Sequence, residues 1–353
     1  MNLIVNAADL TPALKLAASV ATNRDGGTAC VQLHAGVAGL SVRATDYDAA
    51  CSVAVPADVA DAGVALVNAR AIAATVAALP PAATVGLRAM DNLRLEITAG
   101  RSRYTLAAMP EDEAPEVTLP LCQTELPAGW LAALGQVAPT VSQDESRPAT
   151  ACVMWNGEAM VATDGHRLHA RQLGQPKTGA VLLHRRGLSL LSAIAPTHYA
   201  LEGSAATFAA GTTRVQVRRV DATFPDYTKV VPDTTGSDYR SGTVNAAALV
   251  DAMRMVSAVQ GKGDVPILKL AAIGGALLLD IDSPNGDSGH TEVEADDWPL
   301  MPTFGVHPRY LAEAIRAAGG EFVRIHWLDQ FSPLVVDDPA NGAFVAVCMP
   351  CRL

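Results

Sequence analysis

The chain has 353 residues, of which 50% are hydrophobic and 18% charged, so it is long enough for two or three domains with well-filled cores. No apolar run reaches the roughly 20 residues of a membrane-spanning helix, and the start, MNLIVNAADL, lacks the basic and long apolar segments of a secretion signal. We therefore expect a cytoplasmic protein. The net charge of −10 is a whole-chain sum and does not exclude a nucleic-acid partner, because binding follows the local field.

Six cysteines are scattered over the chain, and without a secretion signal they are expected to be reduced thiols. Cys348 and Cys351 have the C-x-x-C spacing of redox and metal sites. A redox pair needs a helix that lowers the thiol pKa, and only Arg352 and Leu353 follow here. We therefore predict neither a redox nor a metal role for this pair.

A strand followed by an amphipathic helix is predicted three times, in segments 3–21, 124–142 and 242–260. Each helix carries three apolar residues at +4 and +3 spacing, which places them on one helical face. The equivalent positions recur after 120 and 119 residues. These apolar triplets are Leu10, Leu14 and Ala17, then Trp130, Leu134 and Val137, then Leu249, Met253 and Val256.

A second element recurs halfway through each unit, where a short strand is predicted to end at an arginine and to lead into a helix. The arginines are Arg70, Arg186 and Arg309, at intervals of 116 and 123 residues. Two positions after each arginine comes the first large apolar residue of the helix: Ile72, Leu188 and Leu311.

The segments between the helices alternate apolar and polar residues, as half-buried strands do. Examples are 85–88, 93–98, 214–218 and 277–282. The resulting order indicates an α+β fold with mainly antiparallel sheet rather than alternating βαβ units. With linkers at 110–120 and 233–238, we predict three domains of one fold, spanning residues 1–120, 121–237 and 238–353.

Positive charge is concentrated on the predicted helices. They carry nine basic and three acidic residues, whereas the whole chain has 26 basic and 36 acidic residues. If the helices share one side of the molecule, that side suits sequence-independent phosphate contact, although surface helices often carry lysine and arginine without such a role. The basic residues are Lys15, Arg24, Arg70, Arg185, Arg186, Arg254, Lys262, Arg309 and Arg316; the acidic residues are Asp9, Asp251 and Glu313.

The stretch Ala162-Thr-Asp-Gly-His-Arg-Leu-His-Ala170 predicts two strands joined by a tight Asp164–Gly165 turn, in which Gly165 supplies a positive φ. His166 and His169 have the spacing of a possible metal pair, but on a strand an i, i+3 pair points to opposite faces. Asp164 with His166 suggests a catalytic pair, yet no G-x-S-x-G nucleophile motif, P-loop or G-x-G-x-x-G accompanies it. We therefore predict no enzyme activity, no cofactor and no metal.

Five motifs in order resemble those of one family, the bacterial DNA sliding clamps, which are the β subunits of DNA polymerase III. The motifs are Gly100–Pro110, Gln143–Pro148, Ala162–Ala170, Phe224–Pro232 and Val347–Leu353. The resemblance implies a ring-shaped, head-to-tail homodimer of three like domains per chain, with helices lining a central hole and antiparallel sheets outside. Such a ring is a processivity factor that holds duplex DNA without sequence preference.

The resemblance also implies site residues. The matching DNA-facing positions are Arg24, Arg70, Gln143, Arg185, Arg186 and Lys262. A pocket for short peptides of the polymerase catalytic subunit, the clamp loader and other clamp-binding proteins matches Thr150, Thr163, Gly165, His166, Arg167, Leu168, Pro225, Lys229, Val230, Val347, Met349, Pro350, Cys351, Arg352 and Leu353. The dimer interface matches Tyr104, Leu106 and Val259.

Three pocket positions, Thr150, Lys229 and Cys351, depart from the residues usual in the family, so the peptide preference is expected to differ. Leu168, Val230 and Val347 also fit a plain core role. Three alternatives to a replicative clamp stay open at this point. They are a repeat scaffold that binds only proteins, a secondary clamp without a replicative role, and an enzyme using the His–Asp cluster.

Overall fold

A computed structural model describes residues 1–21, 26–236, 238–261, 267–295 and 298–353. The described chain divides into two compact units. The first comprises Met1–Leu126 and Arg186–Arg219, and the second comprises Pro127–Arg185 and Val220–Leu353. The predicted three-domain division stays a prediction, and Arg24 and Lys262 lie outside the described residues.

The described residues form six α-helices: α1 (Ala7–Val20), α2 (Ala69–Ala77), α3 (Trp130–Val137), α4 (Arg185–Ile194), α5 (Ala246–Val256) and α6 (Pro308–Ala318). All three apolar triplets predicted from the sequence are buried in α1, α3 and α5, which confirms their helical spacing. Asn68 and Asn245 cap α2 and α5, accepting hydrogen bonds from the backbone N–H groups of Ala71 and Ala248. None of the described helices has the length and apolar character that crossing a bilayer requires.

One detail of the sequence prediction was wrong. Arg70, Arg186 and Arg309 lie in the first turns of α2, α4 and α6 rather than at the ends of the preceding strands. The difference is one or two residues at each helix start, a shift that the apolar pattern does not resolve.

In the first unit, the first nine strands are β1 (Asn2–Asn6), β2 (Cys30–Gly36), β3 (Gly39–Thr45), β4 (Ala49–Val55), β5 (Ala57–Asp61), β6 (Gly63–Asn68), β7 (Thr84–Met90), β8 (Arg94–Ala99) and β9 (Ser102–Met109). The remaining four are β10 (Thr124–Glu125), β15 (His198–Glu202), β16 (Ala205–Ala210) and β17 (Thr213–Arg218). All thirteen form one antiparallel sheet, ordered β10-β15-β16-β17-β4-β3-β2-β6-β9-β8-β7-β1-β5.

In the second unit, eight strands form one antiparallel sheet ordered β14-β11-β12-β13-β25-β24-β23-β18. Their bounds are β11 (Cys152–Trp155), β12 (Ala159–Thr163), β13 (Arg167–Gln172), β14 (Val181–His184), β18 (Arg240–Asn245), β23 (Phe322–Trp327), β24 (Leu334–Asp338) and β25 (Asn341–Cys348). A second antiparallel sheet, ordered β21-β20-β19-β22, contains β19 (Leu268–Ile273), β20 (Ala276–Asp282), β21 (Ser288–Glu294) and β22 (Met301–Val306). Helices with antiparallel sheets confirm the predicted fold class.

The order of elements repeats three times along the described chain. Apart from the additional β5, each repeat runs strand, helix, four strands, helix, three strands. Counted from the first strand of each repeat, the fourth strands of the first two repeats are β4 and β13. They pair with the last strands of the repeats that follow, β17 and β25 respectively. These two antiparallel junctions join consecutive repeats into continuous sheets.

Candidate peptide-binding site and basic helices

The predicted turn joins β12 to β13, and its shape follows from three side chains. Gly165 has φ 91°, a left-handed conformation that favours glycine. Oδ1 of Asp164 accepts hydrogen bonds from the N–H groups of His166 and Arg167 at 3.0 and 3.1 Å. Oγ1 of Thr163 accepts from the N–H of Gly165 and donates to the carbonyl oxygen of Arg167. The turn and both flanking strands are therefore confirmed.

Arg167 is buried, with 3% of its side chain exposed, so its predicted role as a peptide-facing side chain needs correction. Its guanidinium pairs with Asp164 at 3.0 Å and with Glu313 of α6. It also donates to the carbonyl oxygen of Pro139 at 2.6 Å and lies 4.2 Å from the ring centroid of Tyr310. Arg167 thus joins β13 to α6 behind the turn instead of offering a free charge to a partner.

His169 and His166, the candidate metal pair, lie in opposite environments. His169 is fully buried, and its Nδ1 donates to the carbonyl oxygen of Gln136 at 2.8 Å. Burial lowers the pKa of His169 to about 4, so the ring is neutral near pH 7. His166 is exposed. Among the described residues no group of three or more His, Cys, Asp or Glu side chains is arranged to hold a metal ion.

The C-x-x-C pair has no activated thiol. Cys348 is fully buried in β25, and burial raises its pKa to about 12. Burial also raises the pKa of Cys351, whose backbone N–H donates to the carbonyl oxygen of Gly305 at 2.7 Å. Since a thiolate is the reactive form, the raised pKa of both thiols disfavours redox reactivity at neutral pH.

An apolar cavity of about 500 Å³ opens beside the turn, and it gathers six of the predicted pocket residues. It runs between the β12–β13 hairpin and the segment that follows β17. The predicted residues that line it are Thr150, Thr163, Gly165, Leu168, Pro225 and Val230. Phe224 and Tyr227 also line it, and both lie within the Phe224–Pro232 motif, where the sequence could have identified them.

A second cavity, of about 640 Å³, gathers the C-terminal members of the predicted pocket. The predicted residues that line it are Met349, Pro350, Cys351, Arg352 and Leu353. Thr303 and Gly305 of β22 form another wall, together with Gln330 and Phe331. Phe331 is 77% exposed, and no sequence pattern around it indicates a binding role.

The pairing of β13 with β25 connects the two cavities. Arg167 lies opposite Cys348, Leu168 opposite Val347, and the N–H of Met349 donates to the carbonyl oxygen of His166 at 2.9 Å. Val347 is buried in the core beneath the pairing and lines neither cavity. Lys229 is exposed and ion-paired with Asp226 at 3.3 Å.

The described DNA-facing candidates differ in their surroundings. Arg70 is exposed on α2. Nη1 of Arg185 donates to Oε1 of Gln143 at 2.8 Å, and its Nη2 lies 2.9 Å from the Glu145 carboxylate. Gln143 and Arg185 are therefore brought together, but a carboxylate shares their site.

Arg186 also has a carboxylate neighbour, since its Nη1 lies 3.7 Å from Oδ2 of Asp48. Asp48 in turn lies 3.2 Å from Arg218. The described helices together carry seven basic and three acidic residues, which keeps the excess of positive charge that the sequence predicts.

The interface candidates lie at a strand edge and beside a helix end. Tyr104 and Leu106 belong to β9, which pairs along its length with β8 and with β6 only at Ala108 and Met109. The other edge of residues 102–107 carries no strand in the described part of the chain. Val259 is half-buried just after α5 and packs on the core of the second unit.

The comparisons with known proteins agree with this geometry. Residues 1–119 match the model of the DNA polymerase III beta subunit, N-terminal domain. The beta sliding clamp of Caulobacter vibrioides is 25% identical over 296 residues, covering 78% of each chain. A beta sliding clamp homolog, GriR, of Streptomyces muensis is 27% identical over 366 residues, covering 97% of this chain and 93% of its own.

Solved structures match over the whole chain. The Caulobacter crescentus beta sliding clamp superposes with a TM-score of 0.89 at 24% identity, covering 100% of this chain and 99% of the other. The DNA polymerase sliding clamp of Bacillus subtilis has a TM-score of 0.88 at 21% identity, with the same coverage. These likenesses establish the fold. Residues 1–119 thus match the N-terminal domain of the DNA polymerase III beta subunit, and the whole chain has the fold of the beta sliding clamps to which it is similar.

Proposed function

We propose that the protein is a DNA sliding clamp, a non-catalytic processivity factor that encircles duplex DNA as a head-to-tail homodimer. It would tether the polymerase catalytic subunit, the clamp loader and other clamp-binding proteins by short peptides. Three clamp domains per chain, at residues 1–120, 121–237 and 238–353, would supply six domains to the ring.

The observation that carries this proposal is the pattern of sheet junctions. Within the chain, the fourth strand of one repeat pairs with the last strand of the next, as β4 does with β17 and β13 with β25. The third repeat has its own fourth strand, β21, which pairs only with β20 in the described chain. The first repeat has its own last strand, β9, with an open edge at residues 102–107.

Pairing of β21 with β9 of a second copy would repeat the two internal junctions and close a ring of two chains. The contact is head-to-tail, and such contacts close only when the rotation per repeat is right. The two edges carry opposite charge, with Arg101 and Arg103 beside one and Glu292 and Glu294 on the other. Complementary charge favours this register over self-pairing of either edge.

The basic helices support the DNA-binding part of the proposal. Arg70, Gln143, Arg185 and Arg186 lie on or near helices, as expected of groups that contact backbone phosphates without reading bases. Arg24 and Lys262 are proposed for the same role from the family resemblance alone. Phosphate contact of this kind permits sliding, because every position on the duplex offers the same charge.

The two cavities support the peptide-binding part. One is apolar and includes Leu168 and Val230, and the other has Met349, Phe331 and Leu353 at its rim or wall. Apolar surfaces with flexible methionine and separate pockets suit short peptides of differing sequence. A peptide that fills both cavities would cross His166 and the paired strands β13 and β25, which lie between the cavities.

The decisive experiment compares circular with linear DNA. The protein is loaded by its cognate clamp loader onto a nicked plasmid, isolated by gel filtration at high salt, and the plasmid is then cut once. Retention on the circle and release on cutting are expected, since a ring is held by topology rather than by affinity. If the protein were lost at the same rate from the circular and the cut plasmid, the ring would be rejected. Absence of any DNA binding would favour a protein-binding scaffold.

A further inference from the structure

Strand β21 carries a histidine that lies between two carboxylates on a solvent-exposed face of its sheet. Nδ1 of His290 lies 2.6 Å from Oδ1 of Asp280 on β20, and its Nε2 lies 3.6 Å from Oε1 of Glu292. Lys269 of β19 lies in the same cross-strand row and pairs with Asp282 at 2.7 Å. These five side chains are between 42% and 60% exposed, so a strand added to the edge of β21 would meet them.

The position of Gly289 shows that His290 points away from α5. A Cβ atom on Gly289 would lie 2.9 Å from the carbonyl oxygen of Val256, the last residue of α5. Successive residues of a strand point to opposite faces of the sheet, so the side chain of His290 lies on the face that α5 does not cover. The charged groups that face His290 within the described chain are therefore those of β19, β20 and β21.

The two internal sheet junctions predict the register that a second copy of the chain would adopt on β21. At the first junction Val215 lies opposite Cys51, and at the second Ala346 lies opposite His169. All four side chains are fully buried. In each pair a larger side chain faces a smaller one, which lets the two strands pack without a gap.

The equivalent positions on the two open edges are Tyr104 of β9 and Gly289 of β21. Like its counterparts at the junctions, Tyr104 pairs with a fully buried residue of the strand before it, Ile97. Gly289 likewise pairs with the fully buried Ile281, as its counterparts pair with buried residues of their neighbours. A tyrosine ring opposite a glycine continues the pattern of a large side chain facing a small one.

The same register brings Arg103 of a second copy opposite His290, because one step back along β9 is one step forward along an antiparallel β21. Arg103 is 71% exposed, and its Nε lies 3.4 Å from the carboxylate of Glu96 on β8. The corresponding pairs at the internal junctions are Arg214 with Ser52 and Val345 with Ala170.

The charge on His290 decides how well Arg103 of the second copy fits. A neutral imidazole leaves the carboxylates of Asp280 and Glu292 to the incoming guanidinium. A protonated imidazole holds those carboxylates itself and repels the guanidinium, since like charges directly opposite each other destabilise a strand pair.

We infer that His290 makes the self-association of this chain depend on pH, because its protonated ring competes with Arg103 of a second copy for Asp280 and Glu292. The inference rests on the proposed ring of two chains and adds a condition that opens it. In the separate chain the hydrogen bond to Asp280 raises the pKa of His290, whereas Arg103 of a second copy would lower it. Assembly therefore releases protons, and acid favours dissociation.

The test is the dimer dissociation constant of the full-length protein, measured by sedimentation equilibrium at about pH 8.5 and about pH 6 at one ionic strength. The lower pH lies below the raised pKa of His290 in the separate chain. The dissociation constant should be at least about tenfold higher there, since one unit of difference in pKa between chain and dimer is a factor of ten for each His290.

Two variants of His290 and one control make the result specific. His290→Gln, which cannot be protonated, should keep the high-pH affinity of the wild type at both pH values. His290→Lys, which keeps the charge, should dissociate readily at both. The control His198→Gln changes a histidine of β15, away from both edges, and should retain the wild-type dependence on pH.

The outcomes separate the inference from the proposed function. Equal dissociation constants of the wild type at the two pH values would overturn the inference while leaving the ring intact. So would a His290→Gln variant that keeps the wild-type dependence on pH. A wild type that is monomeric at both pH values would contradict the ring itself, and the inference with it.

Discussion

Arg167 forms a buried ion pair with Glu313, which lies 146 residues further along the chain. The pair joins β13 to α6. Although burial raises the pKa of Glu313, hydrogen bonds from Arg309 and Arg167 hold it below its ordinary value, so the carboxylate is ionised. The pair lies directly behind the turn that walls the first cavity. The shape of that wall and the position of α6 therefore depend on one guanidinium.

The first prediction concerns stability. Arg167→Ala should destabilise the second unit by about 3 kcal/mol, because it breaks a buried charged network and leaves the Pro139 carbonyl oxygen without its donor. The measurement is urea unfolding followed by tryptophan fluorescence. All four tryptophans, Trp130, Trp155, Trp298 and Trp327, belong to the second unit, so the signal reports on that unit alone.

The matched control is Arg147→Ala, which removes an exposed arginine 3.8 Å from Asp144. That change should shift stability by less than about 1 kcal/mol. Arg167→Ala combined with Glu313→Gln should lose less than the sum of the single changes, because the partners are coupled. Equal effects of the Arg167 and Arg147 changes would show that the network contributes nothing.

The second prediction concerns pH and His169. Its folded-state pKa of about 4 lies below the usual value of about 6.5, so the unfolded state binds more protons between these values. Stability of the second unit should be level above pH 6.5 and fall by about 3 kcal/mol as the pH drops towards 4. His169→Gln should remove this loss from the tryptophan-detected unfolding curves.

His290 offers a control of opposite sign in the same unit. Its pKa is raised, chiefly by the hydrogen bond to Asp280, so any stabilisation it provides is present below pH 6.5 and lost as pH rises through the folded value. His290→Gln should therefore leave the acid loss intact. If His169→Gln kept the full acid loss, another group would be its source.

Features of this chain that depend on local sequence were predictable, whereas contacts between residues distant in sequence were not. The helices were predictable because Leu10, Leu14 and Ala17 and their equivalents repeat the period of a helix that buries one face. The Asp164–Gly165 turn was predictable because its hydrogen bonds are local. The burial of Arg167 was not, because Glu313 and Pro139 meet it through the tertiary fold.

The lining of the two cavities was largely predictable in membership but not in arrangement. The five quoted motifs contain most residues of the two cavities, yet nothing in the linear sequence divides them into two groups. Thr303 is distant from the C-terminal motif in sequence and reaches it through the bridge between Gly305 and Cys351. Phe331 lies just before β24, which brings it to the same cavity by pairing with β25. A long-range contact of that kind leaves no local pattern.

The third prediction separates the two cavities. Val230→Asp and Leu353→Asp each place a charge in one cavity and should weaken binding of a labelled clamp-binding peptide from the cognate polymerase by at least about tenfold, because apolar contacts are lost and a carboxylate is desolvated. Fluorescence polarisation measures the affinity. Ile273→Asp, on an exposed hairpin, is the control and should bind as the wild type does. If both cavity variants bound the peptide with wild-type affinity, the peptide-binding site would lie elsewhere.

The fourth prediction concerns self-assembly through β9. The wild type should sediment at twice its monomer mass of 36.6 kDa, whereas Leu106→Asp should sediment as a monomer at micromolar concentration. The reason is that Leu106 is half-buried on the open edge of β9, and a second strand laid on that edge would enclose its side chain. A carboxylate there would have to be desolvated or left unpaired at the interface.

Ile273→Asp tests whether a surface aspartate alone changes assembly, and it should remain dimeric. A monomeric wild type, or a Leu106→Asp protein that still sediments at twice the monomer mass, would contradict the pairing of β9 with β21 and the closed ring that depends on it.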